Sequence, residues 1–434
     1  MKKSEYSESD DIVITGYGAI TPLGHDADSF YQSLMRGESA IQLLYPESGV
    51  DGSFWMGSVI RDFDPKAHVQ PRKIIKVMCR EIQLGFGAAM QACQMAGISS
   101  GSVSPDRLGT VFSGEMLFSE TQDVESIVRL CAENGRMNHS RWAIEAIENM
   151  YPLWMLKSLP NMTACHVGIA LDARGPNNTI TTLGTSGLNA VLEAVNVIRR
   201  GMADVMIIGS TASQNSFTRL LQRYDEDYSR AYANPATSCK PFDIARDGSV
   251  SGESASCVIL ERRSHAQDRS ATIFGTITAW ANTFGKSTQN TGETQGRWTR
   301  TQSATQNALS TLLDRAGLQP DQIDHVNASA NGTIACDSGE AKGIAKILGD
   351  VPVVSYKGAI GDSISGSGLV EWIGSLTGMK AGFIAPTTNH ETTDPECPVN
   401  VISKNAKPRT SPHSIKLSQT HQGHCVGVVV SAVN

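Results

Sequence analysis

Thr182-Leu183-Gly184-Thr185-Ser186-Gly187 is a tight turn between two different periodicities. The β-prone run Ile180-Thr181-Thr182 predicts a strand ahead of it, and Leu188, Val191, Leu192, Val195 and Ile198 repeat at helical spacing behind it. A strand-to-helix corner of this kind exposes one side chain, and the amides behind it can hold an oxyanion, the logic of nucleophile elbows and of activated cysteines at helix starts. Gly184 stands at the presenting position, so the corner has the shape for covalent acyl transfer and no nucleophile. Taken alone, Gly184 is also the residue a strained turn takes by default. Ser186 does not complete a Gly-x-Ser-x-Gly motif and is expected to cap the helix.

With 434 residues, 40% of them hydrophobic and 18% charged, the chain can bury a core for two domains or one duplicated domain. A net charge of −6 gives no electrostatic support to nucleic-acid or anionic-membrane binding. No apolar run is long enough to cross a bilayer, and Met1 to Asp11 is polar and acidic, unlike a signal peptide. The nine cysteines are scattered and never spaced as Cys-x-x-Cys, which predicts a reduced, cytoplasmic chain with no metal site. No cofactor is expected.

The chain echoes itself. A helical pattern over 82–98 ends at Ala96-Gly97 and leads to Pro105-Asp106-Arg107-Leu108-Gly109-Thr110-Val111. A second, over 304–317, ends at Ala316-Gly317 and leads to Pro320-Asp321-Gln322-Ile323-Asp324-His325-Val326. Ser186-Gly187-Leu188 pairs with Ser367-Gly368-Leu369, and the helices that follow end at matching glycines, Gly201 and Gly382. Repeated order argues for two similar βα halves. Strand-like runs at Asp11–Thr15, Val205–Ile208, Cys257–Leu260, Val351–Ser355 and Val426–Ser431 alternate with helices, an α/β pattern of sheets buried on both faces. The join is expected near Arg262–Ser270, and Lys286 to Arg300 reads as a loop.

Thr15-Gly16-Tyr17-Gly18-Ala19-Ile20-Thr21-Pro22-Leu23-Gly24 resembles the opening signature of the β-ketoacyl synthases, the condensing enzymes of fatty-acid and polyketide assembly. Lys240-Pro241-Phe242-Asp243-Ile244-Ala245-Arg246-Asp247-Gly248, running on to Gly252-Glu253, resembles their central motif. Asn327-Ala328 with Asp337 and Glu340, then Lys357 with Gly361, Gly368 and Glu371, resemble the two C-terminal blocks. The resemblance spans nearly the whole chain in the right order. It implies an α/β thiolase-like fold, a five-layer αβαβα sandwich of two duplicated halves, 11–265 and 266–434, in an obligate dimer.

The family uses a cysteine that carries the acyl chain as a thioester and two histidines that assist malonyl decarboxylation. On this sequence the resemblance places the cysteine at Gly184 and the histidines at Ser329 and Asp362, so all three are lost. The family's C-terminal glycine-rich loop is replaced by His421-Gln422-Gly423-His424-Cys425. Members without the cysteine are chain-length factors, inactive partners that pair with a catalytic ketosynthase and help shape the acyl tunnel. The best-known factors carry glutamine there; Gly184 departs from them. By the same resemblance, Met116, Leu117 and Phe118, with Cys165, border the tunnel at the dimer interface, and Arg72, Lys73 and Lys76, with Arg80 a turn beyond, face an acyl carrier protein.

Other readings stay open. Cys165 beside His166 suggests a replacement pair, although sequence neighbours diverge on a helix or strand. Cys336 reads as a small buried hydrophobe, and His421 and His424 as a substitute base pair or metal ligands lacking a carboxylate or thiolate set. An acyltransferase, thioesterase or decarboxylase with relocated chemistry at Ser186 or Cys165, or a regulatory acyl-binding homodimer, remains possible on the sequence.

Overall fold

The computed structural model describes residues 11–44, 55–115, 121–222, 227–286 and 293–433. Its large sheet is built from β1 (Ile12–Ile20), β2 (Leu108–Ser113), β3 (Asn177–Ile180), β4 (Val205–Ser213), β5 (Glu253–Arg262), β6 (Gly275–Phe284), β7 (Ile323–Asn327), β8 (Pro352–Val354), β9 (Asn400–Val401), β10 (His413–Gln419) and β11 (His424–Ser431). The helices that matter here are α1 (Ala27–Met35), α2 (Arg80–Ala96), α3 (His139–Asn149), α4 (Met162–Leu171), α5 (Ser186–Arg199), α6 (Glu293–Ala316), α7 (Ile334–Leu348) and α8 (Ser367–Ala381).

Strand order shows the duplication directly. The first half runs β3-β2-β4-β5-β1 and the second β8-β7-β10-β11-β6, the same permutation of chain order, with β9 added at one edge. In both halves the first two pairings are parallel and the next two antiparallel. The halves meet where β1 pairs antiparallel with β6 at Ile12, Val13 and Ile14.

Layers follow from side-chain alternation along these strands. On β5, Val258 and Leu260 join a central core with α5 and α8, whereas Cys257 and Ile259 turn to an outer core under α2 and α4. On β11, Val426, Val428 and Val430 face the same central core, whereas Cys425 and Val429 turn to an outer core with Leu309 and Leu312 of α6 and Ile344 of α7. Five layers result: α2 with α4, one half-sheet, α5 with α8, the other half-sheet, α6 with α7. Helix α8 is buried continuously from Ser367 to Met379, as a helix between two sheets must be.

The repeated turns match in conformation. Helices α2 and α6 end at Gly97 and Gly317, both left-handed, and each leads through a 3-10 turn into β2 or β7. Helices α5 and α8 give way to Gly201 and Gly382, with φ of 69° and 80°, a region glycine enters without Cβ strain.

The structure corrects several expectations. The strand ahead of the turn is Asn177–Ile180, so Thr181 and Thr182 already belong to the corner. The polar stretch near Arg262–Ser270 contains a short helix, Arg263–Asp268, between β5 and β6. Of the stretch read as a loop, 293–300 opens α6, while 287–292 lies outside the described residues. At Arg300 the helix packs so closely on the end of β6 that a Cβ on Gly285 would lie 1.9 Å from the Arg300 carbonyl oxygen; such tertiary contact supports a helix whose first turns lack an apolar stripe.

Trp372 on α8 is 1% exposed and lies in the central core that both half-sheets share. Trp372→Ala is expected to destabilise the fold by about 3–5 kcal/mol. Chemical denaturation monitored by circular dichroism checks this, and a loss below about 1 kcal/mol would contradict a central position for α8.

Candidate functional site

Two corners of the same construction face one cavity. In the first, Leu183 takes φ +53°, the buried Ser186 hydroxyl accepts from Thr182 N at 2.7 Å and donates to Leu183 O at 2.7 Å, and α5 begins. In the second, Ile364 takes φ +56°, the Ser367 hydroxyl accepts from Ser363 N at 2.9 Å, and α8 begins. Ser186 is therefore not the helix cap expected from sequence. It is the first residue inside the helix, and its hydroxyl ties the corner's own backbone.

Between the corners lies a cavity of about 200 Å³, and Gly184, Ser329 and Asp362 all line it. The three positions named from the family pattern thus come together in space. None of them offers the pattern's chemistry. A Cβ on residue 184 would sit 2.6 Å from the backbone carbonyl oxygen of Gln419, at the end of β10. The Ser329 hydroxyl accepts from Gln419 N at 3.1 Å and lies 3.4 Å from the Lys357 ammonium, so its described neighbours are donors and no base is among them. Asp362 is a strut: its carboxylate accepts from Asn331 Nδ2, Ile364 N and Ser367 Oγ, each at 2.9 Å, and so fastens the second corner.

The cavity floor is a buried charge network. Lys357 donates to Ser329 O at 2.6 Å and lies 3.9 Å from Asp362 and 4.0 Å from Glu371. Burial works against its charge, but Asp362, Glu371 and Glu340 outweigh it and hold the ammonium protonated above the usual lysine range. Lys416 is bonded to Glu371 and donates to Asn327 Oδ1 at 2.9 Å. Burial pushes the Glu340 carboxyl up to about 7, against the pull of the Ser329 N–H and of Lys357. Asp337 accepts from the amides of Phe242, Asn331 and Gly332, each at 3.0 Å, which pins the central sequence motif against the start of α7.

Other expected residues scatter. Cys165 lies on α4, half-buried, with Asn161 Nδ2 at 3.6 Å, and does not line the cavity. Met116, Leu117 and Phe118 lie outside the described residues. Arg72, Lys73 and Lys76 are exposed on a 3-10 turn, Arg72–Val77, not on an α-helical face. Arg80 is also exposed, but its guanidinium is committed to Glu253 at 2.6 Å. His421 lines the cavity; His424 does not, its ring nitrogens lying 3.0 Å from Thr185 Oγ1 and 2.9 Å from Asn282 Oδ1 while the ring stacks on Phe284. They do not form a base pair or a shared ligand set, and no cluster of metal-ligating side chains occurs among the described residues. Cys336, expected as a buried hydrophobe, is only half-buried and opens onto the cavity. Sequence reasoning also missed Gln419 and Asn331, which carry no signal apart from adjacency to the altered motifs.

Residues 9–266 match the family model for the β-ketoacyl synthase N-terminal domain, and residues 281–391 match that for its C-terminal domain. The chain belongs to the β-ketoacyl synthase family. It is 30% identical over 431 residues to a putative polyketide β-ketoacyl synthase 1 of Streptomyces cyaneus, covering 97% of each chain. Among solved structures it is similar to a β-ketoacyl synthase from Burkholderia phymatum STM815, with a TM-score of 0.83 at 23% identity, covering 98% of this chain and 100% of that one. It is also similar to the ishigamide ketosynthase/chain length factor, with a TM-score of 0.81 at 21% identity and the same coverage. Among the described residues no helix is long and apolar enough to cross a membrane.

Gly184→Cys forces a Cβ against main chain, so it is expected to cost about 1–3 kcal/mol in denaturant unfolding without creating condensation. A fully stable variant would mean that the Gln419 carbonyl does not close this position. Glu340 generates a pH effect. The native carboxyl keeps its proton up to about 7, whereas the unfolded one releases it near 4.5. Between these values the unfolded chain binds fewer protons, so stability falls as pH rises. Glu340→Gln keeps an acceptor for Ser329 N and should remove that fall; parallel stability curves for both proteins from about pH 5 to about pH 8 would contradict the assignment.

Proposed function

We propose that this chain is a non-condensing, chain-length-factor-like subunit that pairs with a cysteine-bearing ketosynthase and helps shape the acyl tunnel during carrier-protein-dependent condensation. The observation that carries this reading is the backbone closure at Gly184 by Gln419 O, in a cavity also lined by Ser329 and Asp362, the residues that the family resemblance puts at the two histidine positions. A carboxylate fixed where enolate charge would develop opposes that charge, and no imidazole among the lining residues compensates except His421 at the 419–421 turn, outside both positions.

Pairing is supported by surface chemistry. Ile144 and Ile147 on α3 and Leu153 and Met155 just beyond it are exposed, Ile147 to 83%, a concentration of large apolar side chains that a partner chain would cover. Edge strand β3 ends the sheet, with no further strand beside it among the described residues. Met116, Leu117 and Phe118, which follow Glu115 in the sequence, are our proposed tunnel residues, together with Cys165. Arg72, Lys73 and Lys76 offer positive charge to an acidic carrier protein.

Co-expression with its ketosynthase is expected to give a one-to-one complex on size exclusion and native mass spectrometry, and Ile147→Asp should weaken it. A chain that remains a well-behaved monomer in every context would overturn the subunit reading.

A further inference from the structure

Glu340 and Cys336 stand one turn apart on the same face of α7, and both line the cavity. Glu340 is 2% exposed; its Oε1 accepts the Ser329 N–H at 2.8 Å, and its Oε2 receives no hydrogen bond among the described residues. A carboxylate oxygen without a donor, open to a cavity, is a place where a proton or a ligand donor is taken up. Cys336 carries no disulfide and stands in the first turn of α7, where the amide N–H groups of a helix start favour an anionic sulfur. The protonated Lys357 lies on the same cavity wall and supplies a fixed positive charge for a developing oxyanion. Thiol, carboxylate and ammonium therefore share the one cavity that Gly184 also lines.

We propose that Cys336 accepts acyl groups from thioesters in this cavity, with Glu340 as the base. The acyl-thioester substrate class rests on the reading given under Proposed function; the thiol and its base are assigned by this geometry alone. The Cys336 sulfur adds to the thioester carbonyl as its proton passes to Glu340. The bond from the carbonyl carbon to the donor's sulfur then breaks, Glu340 returns the proton to the departing thiolate, and the products are an acyl-Cys336 thioester and a free donor thiol. No oxidant, reductant or further co-reactant enters. The step loads a chain without extending it, because it supplies no group that decarboxylates a malonyl unit.

The test uses the full chain, alone and with its ketosynthase, incubated with acetyl-coenzyme A and with an octanoyl N-acetylcysteamine thioester. Intact mass should show one acyl group per chain, removable by neutral hydroxylamine, and peptide mapping should place it on Cys336. Cys336→Ala should abolish the adduct with an unchanged circular dichroism spectrum. Glu340→Gln should slow acylation by about 100-fold and remove the inflection of the wild-type rate near pH 7. No adduct on the wild-type chain, an adduct that maps to Cys165, or a Glu340→Gln rate equal to wild type would each overturn the proposal. A negative result here leaves co-purification with the ketosynthase untouched, and a failure to co-purify leaves the Cys336 adduct measurable, so the two readings fail separately.

Discussion

The carbonyl oxygen of Gln419 fills the space that any side chain at residue 184 would need. The contact is between main chain and main chain: the end of β10 on one side, and the corner between β3 and α5 on the other. Main-chain atoms on packed elements do not swing aside as a side-chain tip does, so the constraint on residue 184 is steric before it is chemical. Gln419 N also donates to the Ser329 hydroxyl, and its side chain donates to Thr305 Oγ1 at 2.8 Å. One residue thereby links site elements of both half-sheets.

Around that contact the protein keeps an expensive polar floor. Glu371, Lys416 and Lys357 are buried together, and breaking such a set by removing one partner leaves an uncompensated charge in low dielectric. Asp362 completes the set from the second corner. The network therefore fixes the relative positions of β7, β10, α8 and the second corner whether or not the cavity performs chemistry. Retention of the family motifs has a structural cause here: Asp337 and Glu340 tie down backbone amides, and Asp243 accepts from the amides of Glu391 and Thr392 at 2.8 Å. These contacts hold the fold whatever chemistry the cavity performs.

Much of this architecture was legible in the sequence because it rests on local chemistry. Glycines at 97, 317, 201 and 382 mark left-handed helix ends, and the Pro-Asp turns before β2 and β7 repeat with them, so duplication could be read from turn residues alone. The places of Gly184, Ser329 and Asp362 were legible through motif order, and they do share one cavity. What could not be read depends on contacts between distant segments. Nothing local in Gln419 shows that its carbonyl approaches residue 184. Cys336 looked like a core residue because a helix face is set by packing, and only the open cavity beside α7 exposes it. The start of α6 gives no helical signal in the sequence because its polar first turns lack apolar periodicity, and the helix meets Gly285 only from Arg300 onward, beyond them. Ser186 reads from sequence as a cap, but the hydrogen bond that decides its role runs from Thr182 N within the corner.

The most direct test of the account is carbon–carbon bond formation by the purified chain supplied with acyl and malonyl thioesters, followed by mass spectrometry of the thioester products. The closed corner and the absent imidazoles predict no β-ketoacyl product from the chain alone, with condensation appearing only when a cysteine-bearing ketosynthase is added. A β-ketoacyl thioester formed by this chain unaided would contradict it.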